Sequence, residues 1–158
     1  VGGRKSRNKG ANFERAIAND LREWLGDEWT IKRNPTDRQK CAAGSGEFEI
    51  VGPQAFPFSI ECKAHETFDY SQLFRQPTTG PFESFWEQAC SQADASSKKP
   101  MLILKRNNGP TLVAVEREDY SAMMGSCTDT PRMLVNGCAV MPATALFSLP
   151  PSVLFELS

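Results

Sequence analysis

"EFEIVGPQAFPFSIECKAHE", residues 47–66, holds two runs of alternating character separated by a turn marked with glycine and proline. Successive side chains of a β-strand point to opposite faces, so residues two apart share one. In the first run Phe48 and Ile50 face one way, and Glu47, Glu49 and Val51 the other. In the second, Phe58, Ile60, Cys62 and Ala64 form an apolar face, while Ser59, Glu61, Lys63 and His65 share the opposite one. Glu61 and Lys63 therefore stand on a strand that reads as a central one, where an ionised group is costly without a partner. An isolated Glu-x-Lys decides nothing, because the triplet is common; its setting decides. Glu49 lies on the preceding strand, at a spacing from which a hairpin-like connection would set it beside Glu61.

Upstream, Phe13, Ile17, Leu21 and Trp24 recur with helical spacing from Asn12 onward, and Gly26 supplies a stop. Glu14 falls at the margin of that apolar stripe. Residues 1–10, "VGGRKSRNKG", read as a flexible basic arm, "WTIKRN" (29–34) as a short strand, and 35–46 as a polar loop. Downstream, a loop over 66–81 leads to a helix over about 82–96. Phe82, Phe85, Trp86, Ala89 and Ala93 form its core stripe, with Gln88 and Gln92 on a neighbouring line. Residues 100–106 suit a buried strand, and 111–116 its hairpin partner. Residues 117–158 read as a C-terminal appendix, a hairpin around Asn136-Gly137 followed by a short helix. The expectation is one domain over 1–158.

Composition narrows the chemistry. A chain of 158 residues, 40% hydrophobic and 23% charged, can bury a sizeable core, and no apolar run approaches the roughly 18 residues of a membrane span. A cytoplasmic protein is the expectation. Five cysteines without a CxxC pair indicate neither a disulfide framework nor a zinc ribbon. His65 is the single histidine, which argues against a Ser-His-Asp triad elsewhere and a multi-histidine metal centre. The net charge of −1 conceals a split: residues 1–40 carry ten Lys/Arg against six Asp/Glu, and the remainder eight against thirteen. A basic end suits phosphates and a carboxylate-bearing centre suits cations, so Arg4, Lys5, Arg7 and Lys9 are candidate DNA contacts.

Glu14, Glu49, Glu61 and Lys63 are the components of a magnesium-dependent phosphodiesterase. Oxygen ligands suit a hard cation, Mg²⁺ with Mn²⁺ as a substitute, that retains waters and bridges a scissile phosphate. The lysine can orient the attacking water, take its proton or stabilise charge developing on phosphorus.

The ordered segments "RNKGANFERAIANDLREWL", "AAGSGEFEIVGP" and "FPFSIECKA" resemble the PD-(D/E)xK nuclease superfamily, and within it the archaeal and phage Holliday-junction resolvases. The resemblance covers about residues 7–65 and implies an α/β restriction-endonuclease-like core. This is a mixed central sheet flanked by helices in the order αβββαβ, with the acidic face exposed at one end. Carried over by position, it implies Glu14 as the helix carboxylate, Glu49 as the acidic residue of the second motif, and Glu61 and Lys63 as the third. Glu49 stands where the family usually has Asp, and Glu47 on the same strand is its rival as metal ligand. Ser45 would contact the phosphate or assist catalysis, and Gln88, or Gln92 one turn on, would correspond to a glutamine that many members place near the metal site. The implied function is a Mg²⁺-dependent endonuclease acting as a homodimer on branched DNA, a junction-resolving enzyme of phage or prophage type. Another nuclease of the superfamily, serving repair, restriction or DNA processing, shares every site residue. A non-catalytic DNA-binding protein on the same fold is the competitor from a different class.

Overall fold

The computed structural model describes residues 2–34, 46–66, 70–74, 81–106, 108–125, 133–135 and 137–157. Helix α1 runs Gly2–Leu25, followed by β1 (Thr30–Arg33), β2 (Phe48–Val51) and β3 (Phe58–Ala64). A 3-10 turn at Tyr70–Phe74 precedes α2 (Pro81–Ala95), β4 (Lys99–Lys105), β5 (Thr111–Glu116) and α3 (Arg117–Met124). The chain closes with β6 (Met133–Val135), β7 (Cys138–Pro142), α4 (Ala143–Phe147) and a 3-10 turn at Pro151–Glu156. The expected α/β core in the order αβββαβ is present, with a mixed sheet between helices.

The main sheet has the strand order β3-β4-β5-β7-β6, parallel between β3 and β4 and antiparallel elsewhere. β1 and β2 form a separate antiparallel pair, with Lys32 opposite Glu49. Side-chain alternation divides the main sheet into two apolar faces. Phe58, Ile60 and Cys62 of β3, Met101 and Ile103 of β4, and Val113 and Val115 of β5 pack with Phe13, Ile17 and Leu21 of α1. Leu102, Leu104, Ala114, Cys138 and Val140 pack on the other side with Phe82 and Ala89 of α2. Fully burying side chains such as Phe48, Phe58 and Leu102 contributes about 1.5–3 kcal/mol each.

Four expectations need correction. β3 is an edge strand of the main sheet, not a central one; beyond it lies a single parallel bridge, Gly46 to Ile60, that ties in the β1–β2 pair. β2 therefore pairs with β1, and no hairpin sets Glu49 beside Glu61. The basic arm is helical from Gly2, because helix propagation costs little once Phe13, Ile17 and Leu21 anchor the packed turns. The 117–158 appendix is part of the core: β7 pairs along β5, and Leu146 and Leu154 are fully buried. Trp24 of α1 donates its indole N–H to the Leu149 carbonyl at 2.8 Å, and the Trp29 ring stacks on Phe155. Among the described residues no helix is long and apolar enough to cross a membrane.

Candidate active site

The face of β3 opposite α1 carries the polar side chains that alternation assigned to it. Glu61 stands level with Leu102 of β4, and Lys63 with Leu104, both on the α2 side of the sheet. Glu61 is 1% exposed, so the acidic face is covered by α2 where the sequence suggested an open one. A buried carboxylate demands compensation, and Glu61 receives it at one oxygen. Gln88 of α2 donates from Nε2 to Glu61 Oε1 at 3.2 Å, and Lys63 Nζ lies 3.3 Å from the same oxygen. Glu61 Oε2 is buried with no hydrogen-bond partner.

Phe85 sits beside this pair on α2, partly buried. Lys63 Nζ lies 5.6 Å from the centre of its ring, within cation–π range, and the His65 ring packs against it at 5.5 Å. One aromatic plate thus supports both side chains at the end of β3. The Lys63 side chain remains 26% exposed, so its ammonium is reachable from solvent. The His65 backbone N–H donates to the Lys105 carbonyl at 3.0 Å, which extends the β3–β4 ladder just past Lys63.

Glu47 reaches the same strand by a different route. Gly46 adopts φ +70°, and a Cβ there would fall 2.1 Å from the Ile60 carbonyl oxygen, so only glycine lets the chain approach β3 this closely. The Glu47 N–H then donates to Ile60 O at 2.7 Å. On its other side the Asn34 N–H donates to Glu47 O at 2.7 Å, and Asn34 Nδ2 to Gly46 O at 3.2 Å. One residue beyond the Gly46–Ile60 bridge, the two chains carry Glu47 and Glu61. Glu47 is 2% exposed, whereas Glu49 is exposed on the outward face of β2, next to Val51. Alternation put Glu47 and Glu49 on one face; the turn at Glu47 lies before β2 begins and breaks that parity.

Glu14 projects from α1 toward β1. Its Oε2 accepts from Arg33 Nε at 2.8 Å and from Arg33 Nη2 at 2.5 Å. Ile31 and Arg33 alternate onto the same side of β1, which carries the guanidinium to the helix. Arg4, Lys5, Arg7 and Lys9 are exposed along the first turns of α1, and Lys9 is ion-paired with Glu66. Ser45 lies outside the described residues. Gln92 is half-buried on α2, one turn beyond Gln88.

Arg33, Asn34, Gly46 and Phe85 were not singled out from the sequence as site residues. The Gly-Ser-Gly run before Glu47 was the available signal for Gly46, since a glycine next to an acidic residue can mark a close backbone approach. Phe85 carried only the signature of a core aromatic, and it has that role in addition to supporting Lys63.

The donor set suits a hard divalent cation. Glu61 offers a buried anionic oxygen with no hydrogen-bond partner, and Glu47 a second buried carboxyl group one residue past the shared bridge. Mg²⁺ is usually held by one or two carboxylates, with waters and substrate phosphates completing the shell. Among the described residues no group of three or more His, Cys, Asp or Glu side chains converges, so the donor set is of the sparse type.

A family model described as "Phage putative PDDEXK endonuclease" matches residues 5–136, which include most of α1, all three strands of the first half, α2, β4, β5, α3 and β6. No curated protein and no solved structure matches the chain.

Proposed function

The chain belongs to this phage PDDEXK endonuclease family, and from that premise we propose that it hydrolyses DNA phosphodiester bonds with Mg²⁺, acting on branched DNA as a junction-resolving enzyme. Nucleases of this superfamily generally use divalent metals. In our reading Glu61 and Glu47 hold the ion, and Glu47 takes the place that the resemblance gives to Glu49. When bound, the metal supplies Lewis acidity toward the phosphate and toward a water.

The protein's own groups account for the remaining roles. Gln88 fixes the Glu61 carboxylate by one oxygen and leaves the other for the ion. Lys63, positioned between Glu61 and Phe85, holds the attacking water or stabilises the charge developing on the phosphoryl oxygens. Water oxygen bonds to phosphorus, the bond from phosphorus to the leaving sugar oxygen breaks, and a proton ends on that oxygen. Glu14, tied to Arg33, positions β1 against α1, so that Asn34 is in place to hold Gly46 and Glu47. Two such sites related by a two-fold axis would cut a junction symmetrically, which is the ground for expecting a homodimer.

The observation that carries this reading is Glu61 itself: a carboxylate buried in a strand, compensated at one oxygen and unpartnered at the other. The decisive experiment compares cleavage of four-way junctions, flaps, linear duplex and single strands with Mg²⁺, and with Glu61→Gln as control. Preferred metal-dependent cutting of the junction supports the proposal. Preferred cutting of another substrate makes the protein a nuclease of different specificity, and binding without cutting any DNA makes it a non-catalytic DNA-binding protein.

A further inference from the structure

At the carboxyl end of β3 a cavity of about 380 Å³ opens between α1 and the end of β4. Lys9 and Asn12 of α1 line one wall, and Lys105, Arg106 and Asn108 the other. The small side chain of Ala64 leaves the space between them open. Three cationic side chains and two amides line it together with the apolar Phe13, Ala16 and Ala64, on the α1 side of the sheet, whereas Glu61 and Lys63 of the candidate active site lie on the α2 side. Glu66 forms an ion pair with Lys9 at the rim. That pair is 44% and 64% exposed, so solvent screens it and another anion can readily replace it.

We propose that this cavity is a second phosphate site, which takes a backbone phosphate of the DNA strand away from the scissile one. Glu66 is a resident carboxylate that releases Lys9 when that phosphate arrives. Ala64 follows Glu61 by three residues of extended strand, roughly 10 Å. Because Ala64 faces α1 and Glu61 and Lys63 face α2, a strand whose scissile phosphate lies at Glu61 and Lys63 reaches the cavity by turning around the carboxyl end of β3, and the phosphate it places there is not the one adjacent to the scissile bond. The contacts are to charge and not to base edges, so the site fixes register without reading sequence. The inference rests on the nuclease reading above, and Lys105 and Arg106 are its specific content.

The test is equilibrium binding of a fluorescent four-way junction by the full chain in Ca²⁺, titrated with salt, together with steady-state cleavage in Mg²⁺. Replacing both Lys105 and Arg106 by alanine should weaken binding about tenfold at 0.1 M salt and lower the slope of log K against log salt by about one. Cleavage at saturating DNA should be unchanged. Glu66→Gln should act in the opposite direction and tighten binding about two- to fivefold, because the competing carboxylate is gone. Unchanged affinity and salt slope in both variants would overturn the inference while leaving cleavage intact. Absence of any binding by the parent protein would instead overturn the nuclease reading. If the double variant does not fold, Glu66→Gln decides alone, with tighter binding for the site and unchanged binding against it.

Discussion

Gly46 and Ile60 are joined by a lone parallel bridge in which the Ile60 carbonyl occupies the space a side chain at position 46 would need. Gly46→Ala should therefore destabilise the fold. The left-handed backbone costs a side-chain-bearing residue about 1–2 kcal/mol, and displacement of the bridge adds to this. Urea unfolding would measure the loss. Cleavage should fall more than stability predicts, because Glu47 loses its position at β3.

The carboxylates should separate cleanly by substitution with glutamine. Glu61→Gln and Glu47→Gln each remove a charge from the proposed metal set and should lower kcat by about 10²–10³-fold, a barrier increase of several kcal/mol. Glu49→Gln, on the outward face, should remain within about twofold of the parent. Loss of activity at position 49 and not at 47 would refute the assignment.

Phe85→Leu retains apolar volume on α2 but removes the π face beneath Lys63 and the ring that packs on His65. Cation–π support of this kind is worth about 0.5–1 kcal/mol at partly exposed sites. The expected result is a two- to fivefold fall in kcat with KM for DNA unchanged, measured under steady-state conditions. A fall in DNA affinity with kcat unchanged would assign the ring to binding.

Glu116, at the junction of β5 and α3, has its carboxyl pushed above the ordinary value of 4.5, first by burial and then by Asp119 and Glu118, against the attraction of Lys99. A carboxyl with a raised folded-state pKa binds its proton more tightly in the native state. Stability is therefore lost as pH rises from the unfolded value through the folded one, and the penalty persists at neutral pH. Glu116→Gln should have a higher Tm than the parent at pH 7, and the difference should vanish below the ordinary carboxyl pKa. A lower Tm for the variant at pH 7 would contradict this.

Much of the fold could be read because alternation and helical spacing report burial directly. Phe58, Ile60 and Cys62 do face one core, and Glu61 and Lys63 do face the other way. The stripe of Phe13, Ile17 and Leu21 marks the buried side of α1, and Val135 pairs with Cys138 across Asn136-Gly137 as the hairpin reading required. What could not be read depended on tertiary pairing. Periodicity carried backward from Phe48 assigns Glu47 the same exposure as Glu49, but a left-handed glycine and a turn intervene. The edge position of β3 follows from which strand meets which, a matter on which local pattern is silent. Arg33 as the partner of Glu14 likewise required knowing that β1 lies against α1.

The bond from the Trp24 indole to the Leu149 carbonyl spans 125 positions of the chain. On a ribosome, α1 emerges before the segment carrying Leu149, so its last turn cannot complete its packing until that segment has been synthesised. Glu47 and the strand bearing Glu61 and Lys63 appear in between, and the helix against which that strand packs is the one still waiting for that late contact. A nascent chain accordingly holds all the named acidic and basic groups for some time before they are fixed in place. The fixing of those groups is thereby tied to synthesis of the segment around Leu149, a delay set by topology alone.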